Sequence, residues 1–228
     1  MYKFGIRVPM DSCETSFLKQ KEGYTKWGDT EKVEIKQLFD YKTFKDLGLG
    51  AGTPENYRQI WCHFVYDIKH DSRYKARLVA GRHLIEPNKD QAYSGVVSLQ
   101  SMRLAILAGE LNGLNIMVGD IGNAYLESYT KEKVCFTTGP EFGDLVGHTF
   151  VIAKALYGLR TSGARFDEVL AKTLSKEGFV PSKADPDLWL RKGEKCYEYI
   201  CVYVDDLFVV MHDPKAFFKI LKDNMDIS

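Results

Sequence analysis

Three acidic residues sit where apolar neighbours ask for a core. Asp120 closes the run in "VGDIGNAYL", and Asp205 and Asp206 break "YICVYVDDLFVV", residues 199–210. A carboxylate in such surroundings is strongly disfavoured unless it is solvated, paired or bound to a cation. Taken alone, Asp205-Asp206 reads as a solvated turn, because aspartate is a common turn residue. Asp120 adds weight to the other reading. If the two strands belong to one antiparallel sheet their ends can converge, and three carboxylates brought together repel unless divalent cations lie between them. Oxygen-only ligands favour Mg²⁺ or Mn²⁺, and two such ions about 4 Å apart form a clamp for in-line phosphoryl transfer.

The elements that must position these acids are legible nearby. Ser98 is placed to cap a helix through "LQSMRLAILAGELN" that stops at Gly113, and "LNIMVGDI" then reads as a buried strand ending at Asp120. In the second half Ser162 is the expected cap of a helix with Phe166, Val169, Leu170 and Leu174 on one face and Gly178 at its end. Strand-like "LWLRK" follows, and residues 199–210 fold best as a tight hairpin with the aspartates at the bend. Asp213 and Pro214 supply the cap and first position of a last amphipathic helix. Further upstream, "EKVEIKQLFDYKTF" from Glu31 predicts a short helix leading into a glycine-rich loop, "LGLGAGTPE". The runs "WCHFVYDIK" and "YKARLVAGRHL" flank "HDSR" as a β-hairpin.

Composition bounds the alternatives. The 228 residues are 45% hydrophobic, enough for one large domain or two modest ones. Lys plus Arg and Asp plus Glu are 31 each, so any nucleic-acid site must be a local basic patch. No apolar run approaches the ~18 residues of a membrane span, and "MYKFGIRVPM" has no signal-like core, so secretion is not expected. The five cysteines lack zinc spacing and are read as isolated reduced thiols.

"DIGNAYL", "KALYGLR" and "YVDD", in this order and at these separations, resemble the reverse transcriptase domain of copia-type (pseudovirus) long-terminal-repeat retrotransposons. "YKARLVAGRHL" and "WGDTEKVEIKQL" extend the resemblance from about Trp27 to the end. It implies an α+β right-hand polymerase: a palm of antiparallel sheet backed by helices, a fingers subdomain, and a thumb truncated or absent. The expected boundaries are an N-terminal segment 1–30, fingers 31–97 and 127–158, and palm 98–126 and 159–228. The implied activity is RNA- and DNA-directed DNA synthesis, in which a primer 3′-hydroxyl attacks the α-phosphate of a deoxynucleoside triphosphate with two Mg²⁺ or Mn²⁺ ions. Partners would be an RNA or DNA template with its primer and the rest of a retrotransposon polyprotein, in a cytoplasmic virus-like particle or the nucleus.

The resemblance assigns roles by position. Asp120 and Asp205 match the aspartates that hold both metals, and Asp206 their neighbour with a weaker metal contact. Tyr125 matches the aromatic gate that leaves no room for a 2′-hydroxyl; a core tyrosine is the plainer reading. Lys75 and Arg77 match the basic fingers strand over the triphosphate, a contact for which arginine is well shaped. Gly158 matches a turn where backbone closely approaches template or nucleotide, and Arg160 keeps a basic group beside it. Apart from the resemblance, Lys69, Arg73 and Arg82 are further local basic groups expected to contact nucleic-acid phosphates. Two departures stand out: Thr161 replaces a common glutamine in "GLRTSGAR", which also lacks the usual proline, and Arg82 replaces a small residue. A non-catalytic remnant or nucleic-acid-binding fragment is the competing expectation. A palm-type cyclase or metal nuclease is a third, but it has no reason to keep a sugar gate.

Overall fold

A computed structural model describes residues 2–22, 25–81 and 96–225; Arg82 lies outside them. The first strands and helices are β1 (Tyr2–Lys3), β2 (Ile6–Arg7), α1 (Ser12–Glu22), α2 (Lys26–Asp40) and β3 (Phe44–Leu49). They are followed by β4 (Arg58–Gln59), β5 (Cys62–Ile68), β6 (Tyr74–Ala80), α3 (Leu99–Asn112) and β7 (Asn115–Asp120). Then come β8 (Val134–Thr137), β9 (His148–Ile152), α4 (Ser162–Lys176), β10 (Val180–Pro181) and β11 (Leu188–Lys192). The last are β12 (Tyr197–Tyr203), β13 (Asp206–Met211) and α5 (Pro214–Asn224). Among the described residues the class is α+β, and strand pairing is antiparallel except for β4 with β8.

The chain divides into two compact units, Met1–Asp90 with Tyr129–Ser162, and Gln91–Ser128 with Gly163–Ser228. In the first, a sheet ordered β3-β9-β8-β4 gathers Phe44, Phe136, Phe142 and Phe150 into an aromatic cluster. Beside it, β5 and β6 form the expected hairpin, with Ala76, Leu78 and Ala80 buried at alternate positions as a half-buried strand requires. Helix α2 begins at Lys26, five residues before the expected start, because Trp27 is fully buried against the edges of Tyr66 and Tyr74. The predicted glycine-rich loop is partly strand: Leu47, Gly48 and Leu49 belong to β3. An irregular register between Asp46 and Leu49 and a left-handed Gly48 (φ 100°) absorb the glycine.

The second unit is built on a five-stranded sheet ordered β10-β11-β12-β13-β7. One face carries α4 and α5, whose Phe166, Leu170, Leu174, Phe217 and Leu221 are buried with Ile200, Val202, Leu207, Val209 and Met211. Each such side chain contributes roughly 1.5–3 kcal/mol by leaving water. The other face carries α3, which approaches through Ser101, Ala105 and Gly109. A Cβ on Gly109 would lie 2.6 Å from Val210 Cγ1, so a larger residue there would push the helix off the sheet. The caps of α3 and α5 are as expected: Ser98 accepts from the Ser101 N–H, Gly113 is left-handed, and Asp213 accepts from the Ala216 N–H ahead of Pro214.

Two expectations need correction. Ser162 does not cap α4; it is the first helical residue and donates its hydroxyl to the Leu156 carbonyl at 2.7 Å. Strand β7 is not a buried interior strand. Among the described residues it forms the edge of the sheet, pairing only with β13, and Ile116 is 45% and Val118 63% exposed.

Candidate active site

The sheet of the second unit brings the sequence-predicted acids together at one end. Strand β7 terminates at Asp120, and in the β13–β7 register Asp120 stands directly opposite Asp206. Asp206 in turn pairs with Tyr203 of β12, so Val204 and Asp205 are the two residues of the connecting turn. Val204 is left-handed (φ 58°) while Asp205 is not, the pattern of a hairpin turn whose first position ordinarily belongs to glycine. The Ile121 N–H donates to the Asp205 carbonyl at 2.9 Å, tying the end of β7 to that turn.

Alternation settles the face. Asp120, Val118 and Ile116 pair with Asp206, Phe208 and Val210, the set on the α3 side, whereas Leu207, Val209 and Met211 point into the α4–α5 core. Asp120 and Asp206 therefore share a face, both exposed, with Asp205 half-buried beside them. Like charges directly opposite across strands repel. Among the described residues no three Asp, Glu, His or Cys side chains are gathered closely enough to enclose an ion as they stand. The donor set nevertheless suits a hard divalent cation, being oxygen only, solvent-accessible and anionic, and a cation would relieve the opposition of Asp120 and Asp206. Gly119 was not singled out by sequence. A Cβ there would lie 2.8 Å from Phe218 Cζ, so this glycine lets α5 pack beneath the strand that presents Asp120.

Tyr125 follows in a short 3-10 turn, Ala124–Glu127, entered through left-handed Asn123. It is half-buried against the α4–α5 core and meets Phe166 edge-on at 6.4 Å between centroids. The Ser128 N–H and hydroxyl both donate to its carbonyl, at 3.1 and 2.9 Å, which fixes the backbone of the turn.

The basic residues belong to the first unit. Lys75 and Arg77 lie on the same face of β6, at alternate positions. Arg77 stacks on Tyr157, its guanidinium carbon 4.7 Å from the ring centroid. The strip is less positive than a count of its cations suggests. Asp67 pairs with Lys75 in register and holds Lys3 at 2.5 Å, and Arg73 is held by Asp71 at 2.5 Å within the turn that also contains Lys69. Glu34, not singled out by sequence, accepts from the Leu78 N–H of β6 at 3.2 Å. Burial raises its pKa, against the lowering effect of that N–H and of Lys75 and Arg77.

Gly158 is left-handed (φ 91°), and its Cα faces the backbone of β6. A Cβ would fall well inside contact distance of the Ala80 carbonyl and 2.8 Å from Val79 Cγ1, while the Ala80 N–H donates to the Tyr157 carbonyl at 2.8 Å. The close approach that demands glycine is thus met by the protein's own strand. Arg160 is half-buried just beyond. Thr161, at the position where a glutamine was expected, donates both its N–H and its hydroxyl to Glu132 Oε1, at 2.9 and 2.8 Å.

Residues 49–227 match a family model described as reverse transcriptase (RNA-dependent DNA polymerase). The chain belongs to this reverse transcriptase family, in its copia-type retrotransposon branch. It is 30% identical over 181 residues to the Retrovirus-related Pol polyprotein from transposon RE1 of Arabidopsis thaliana, covering 75% of this chain and 12% of that protein. It is 29% identical over 230 residues to the corresponding polyprotein from transposon RE2 of the same plant, covering 92% and 16%. It is also 27% identical over 207 residues to the Transposon Ty1-LR2 Gag-Pol polyprotein of Saccharomyces cerevisiae, covering 90% and 11%. The chain therefore spans less than a fifth of the length of these relatives. Among the described residues no helix is long and apolar enough to cross a membrane.

Proposed function

We propose that this chain is the palm and fingers portion of an RNA- and DNA-templated DNA polymerase that extends a primer 3′-hydroxyl with deoxynucleotides. The observation that carries the proposal is the direct opposition of Asp120 and Asp206 on one face, at the sheet end where Asp205 forms the turn. Asp120 and Asp205 would hold two divalent ions, Mg²⁺ or Mn²⁺, with Asp206 as a weaker contact; bound there, such ions activate the attacking oxygen and stabilise the leaving one. The chain's own part is presentation: β7 and the β12–β13 hairpin fix the carboxylate-bearing backbones by strand pairing, and the Ile121 N–H anchors the turn. Tyr125 serves as the sugar gate, held by Ser128 and Phe166. In the other unit Lys75 and Arg77 are proposed as triphosphate contacts, and Lys69, Arg73 and Arg82 as template contacts. The remainder of a polyprotein, by likeness to the curated relatives, is the expected covalent partner.

Primer extension on RNA and DNA templates, with Mg²⁺ or Mn²⁺, tests the reading. Asp205→Asn is expected to abolish extension while the fold survives, because a metal contact is lost and repulsion among the acids is relieved. Extension that persists in Asp205→Asn and Asp120→Asn would refute it. Binding of primer-template without extension by the unaltered chain would leave only a nucleic-acid-binding fragment.

A further inference from the structure

A second pair of acids, Asp185 and Asp187, lies in the same unit and takes no part in the site described above. They precede β11 in "KADPDLW" and are 9% and 8% exposed. Both carboxylates accept from one short segment, Val96 to Ser98, which leads into α3. The Val96 N–H donates to Asp187 Oδ2 at 3.0 Å and the Ser98 N–H to Asp185 Oδ2 at 2.9 Å. Between them, the Val97 N–H points the other way and donates to the Val202 carbonyl of β12 at 2.9 Å. This is the alternation of a strand. Its inner amide is bonded to β12, and its two outer amides, which in a sheet would find a further strand, find carboxylates instead.

The location gives this strap its meaning. Strand β11 starts at Leu188, opposite Cys201, so the catalytic end of β12 has no β11 residue in register with it. The strap fills that edge: Val96 bridges to Tyr203, and the Val202 N–H donates to the Asp187 carbonyl at 2.9 Å. Tyr203 is the residue from which the Val204–Asp205 turn springs, and Val204 is a β-branched residue in the left-handed region. Such a conformation persists only where its surroundings over-determine it. The Ile121 bond to Asp205 restrains the turn from the β7 side. The strap restrains it from the other.

We propose that Asp185 and Asp187 are positioning residues: their carboxylates hold the Val96–Ser98 strap on the end of β12 and so fix the turn that presents Asp205 and Asp206. Burial of the Asp185 carboxyl is outweighed by donation from Ser101, Ser98 and the Asp187 N–H, which keeps its pKa below the ordinary value and the acceptor ionised. The hold on the turn is independent of the polymerase reading. Only its consequence for metal binding rests on that reading.

Amide hydrogen exchange of the whole chain tests the proposal without metal or nucleic acid. Asp187→Ala is expected to accelerate exchange about tenfold at Ile121, whose amide reads the position of the Asp205 carbonyl, as well as at Val96 and Val97. Asp187→Asn, which keeps an oxygen acceptor for the Val96 N–H, is expected to stay near the unaltered protein. Ser101→Ala, a milder loss of a donor to Asp185, should give a smaller acceleration in the same place and serves if Asp187→Ala does not fold. Glu198→Ala is the comparison. It removes another buried carboxylate of this sheet, bonded to the His212 N–H and Arg191, and should leave Ile121 protected. Loss of protection confined to Val96–Ser98, or equal acceleration at Ile121 in Glu198→Ala, would overturn the proposal. Mn²⁺ titration adds a second readout, with affinity expected to fall about tenfold in Asp187→Ala. If the unaltered chain takes up no Mn²⁺, the metal reading fails and the exchange result alone decides the strap.

Discussion

Replacing Gly158 by alanine separates two explanations of that glycine. At φ 91° an alanine carries a left-handed penalty of roughly 1–2 kcal/mol. Its Cβ would also collide with backbone, the Ala80 carbonyl and the Ala80 N (2.9 Å), and with Val79 Cγ1 at 2.8 Å. Backbone of a paired strand cannot swing aside as a flexible side chain can, so an overpacking cost of about 1–3 kcal/mol applies. The Ala80 to Tyr157 hydrogen bond is the first contact to be strained. The expected loss is about 2–5 kcal/mol, a large part of the roughly 5–15 kcal/mol that holds a typical domain folded. With a urea dependence of about 1–3 kcal/mol per M, the midpoint should fall by at least about 0.7 M. Trp27 and Trp61, both in the same unit, report the transition in a Trp189→Phe background. A change below about 1 kcal/mol combined with weakened nucleotide or template binding would show that a ligand, not β6, requires the glycine.

Replacing Tyr125 by valine should admit ribonucleotides in primer extension if the ring is the sugar gate; unchanged discrimination with a stability loss of about 2 kcal/mol would assign it to the Phe166 contact alone. Val204→Gly should stabilise the second unit by up to about 1 kcal/mol in urea unfolding, since the left-handed cost of valine exceeds the extra unfolded-state freedom of glycine; destabilisation would refute the strain. Glu31, buried and accepting from Tyr66, has its pKa raised above 4.5 by burial, against donation from Tyr66 and Thr15 and with a further raise from Glu141. The native state therefore binds its proton more tightly than the unfolded state, and this group's contribution to stability falls as pH rises from 4.5 through the raised value. Glu31→Gln should flatten that fall, so that urea midpoints of variant and unaltered protein diverge in the variant's favour above about pH 5; parallel profiles would contradict it.

What could be read from the sequence was local, and what could not depended on partners far along the chain. Ser98, Gly113, Asp213 and Pro214 act on backbone within four residues, so both ends of α3 and the start of α5 were legible. The hairpin of "YVDD" was legible because apolar alternation survives on both sides of the acids. The edge status of β7 was not, since periodicity reports which face of a strand is buried and is silent about which strands flank it. The early start of α2 depends on Trp27 meeting Tyr66 and Tyr74, some forty residues later in the chain. For Gly158 the residue was visible and its neighbour was not.

The acids give the sharpest case. "DPD" at 185–187 and "DD" at 205–206 are alike as composition, and both read as turn chemistry. Their partners distinguish them. Asp185 and Asp187 are almost fully buried and accept from the Ser98 and Val96 N–H groups, so their charge is consumed in satisfying backbone that would otherwise be unpaired. Asp206 is exposed and stands across a strand pair from Asp120, another exposed acid. Like charges placed opposite each other across strands repel, and in the proposed function divalent cations would offset that repulsion. The first pair is bonded to backbone amides, and the second is the pair proposed to hold divalent ions. Both placements depend on pairings between residues some ninety apart in the chain, which composition alone does not reveal.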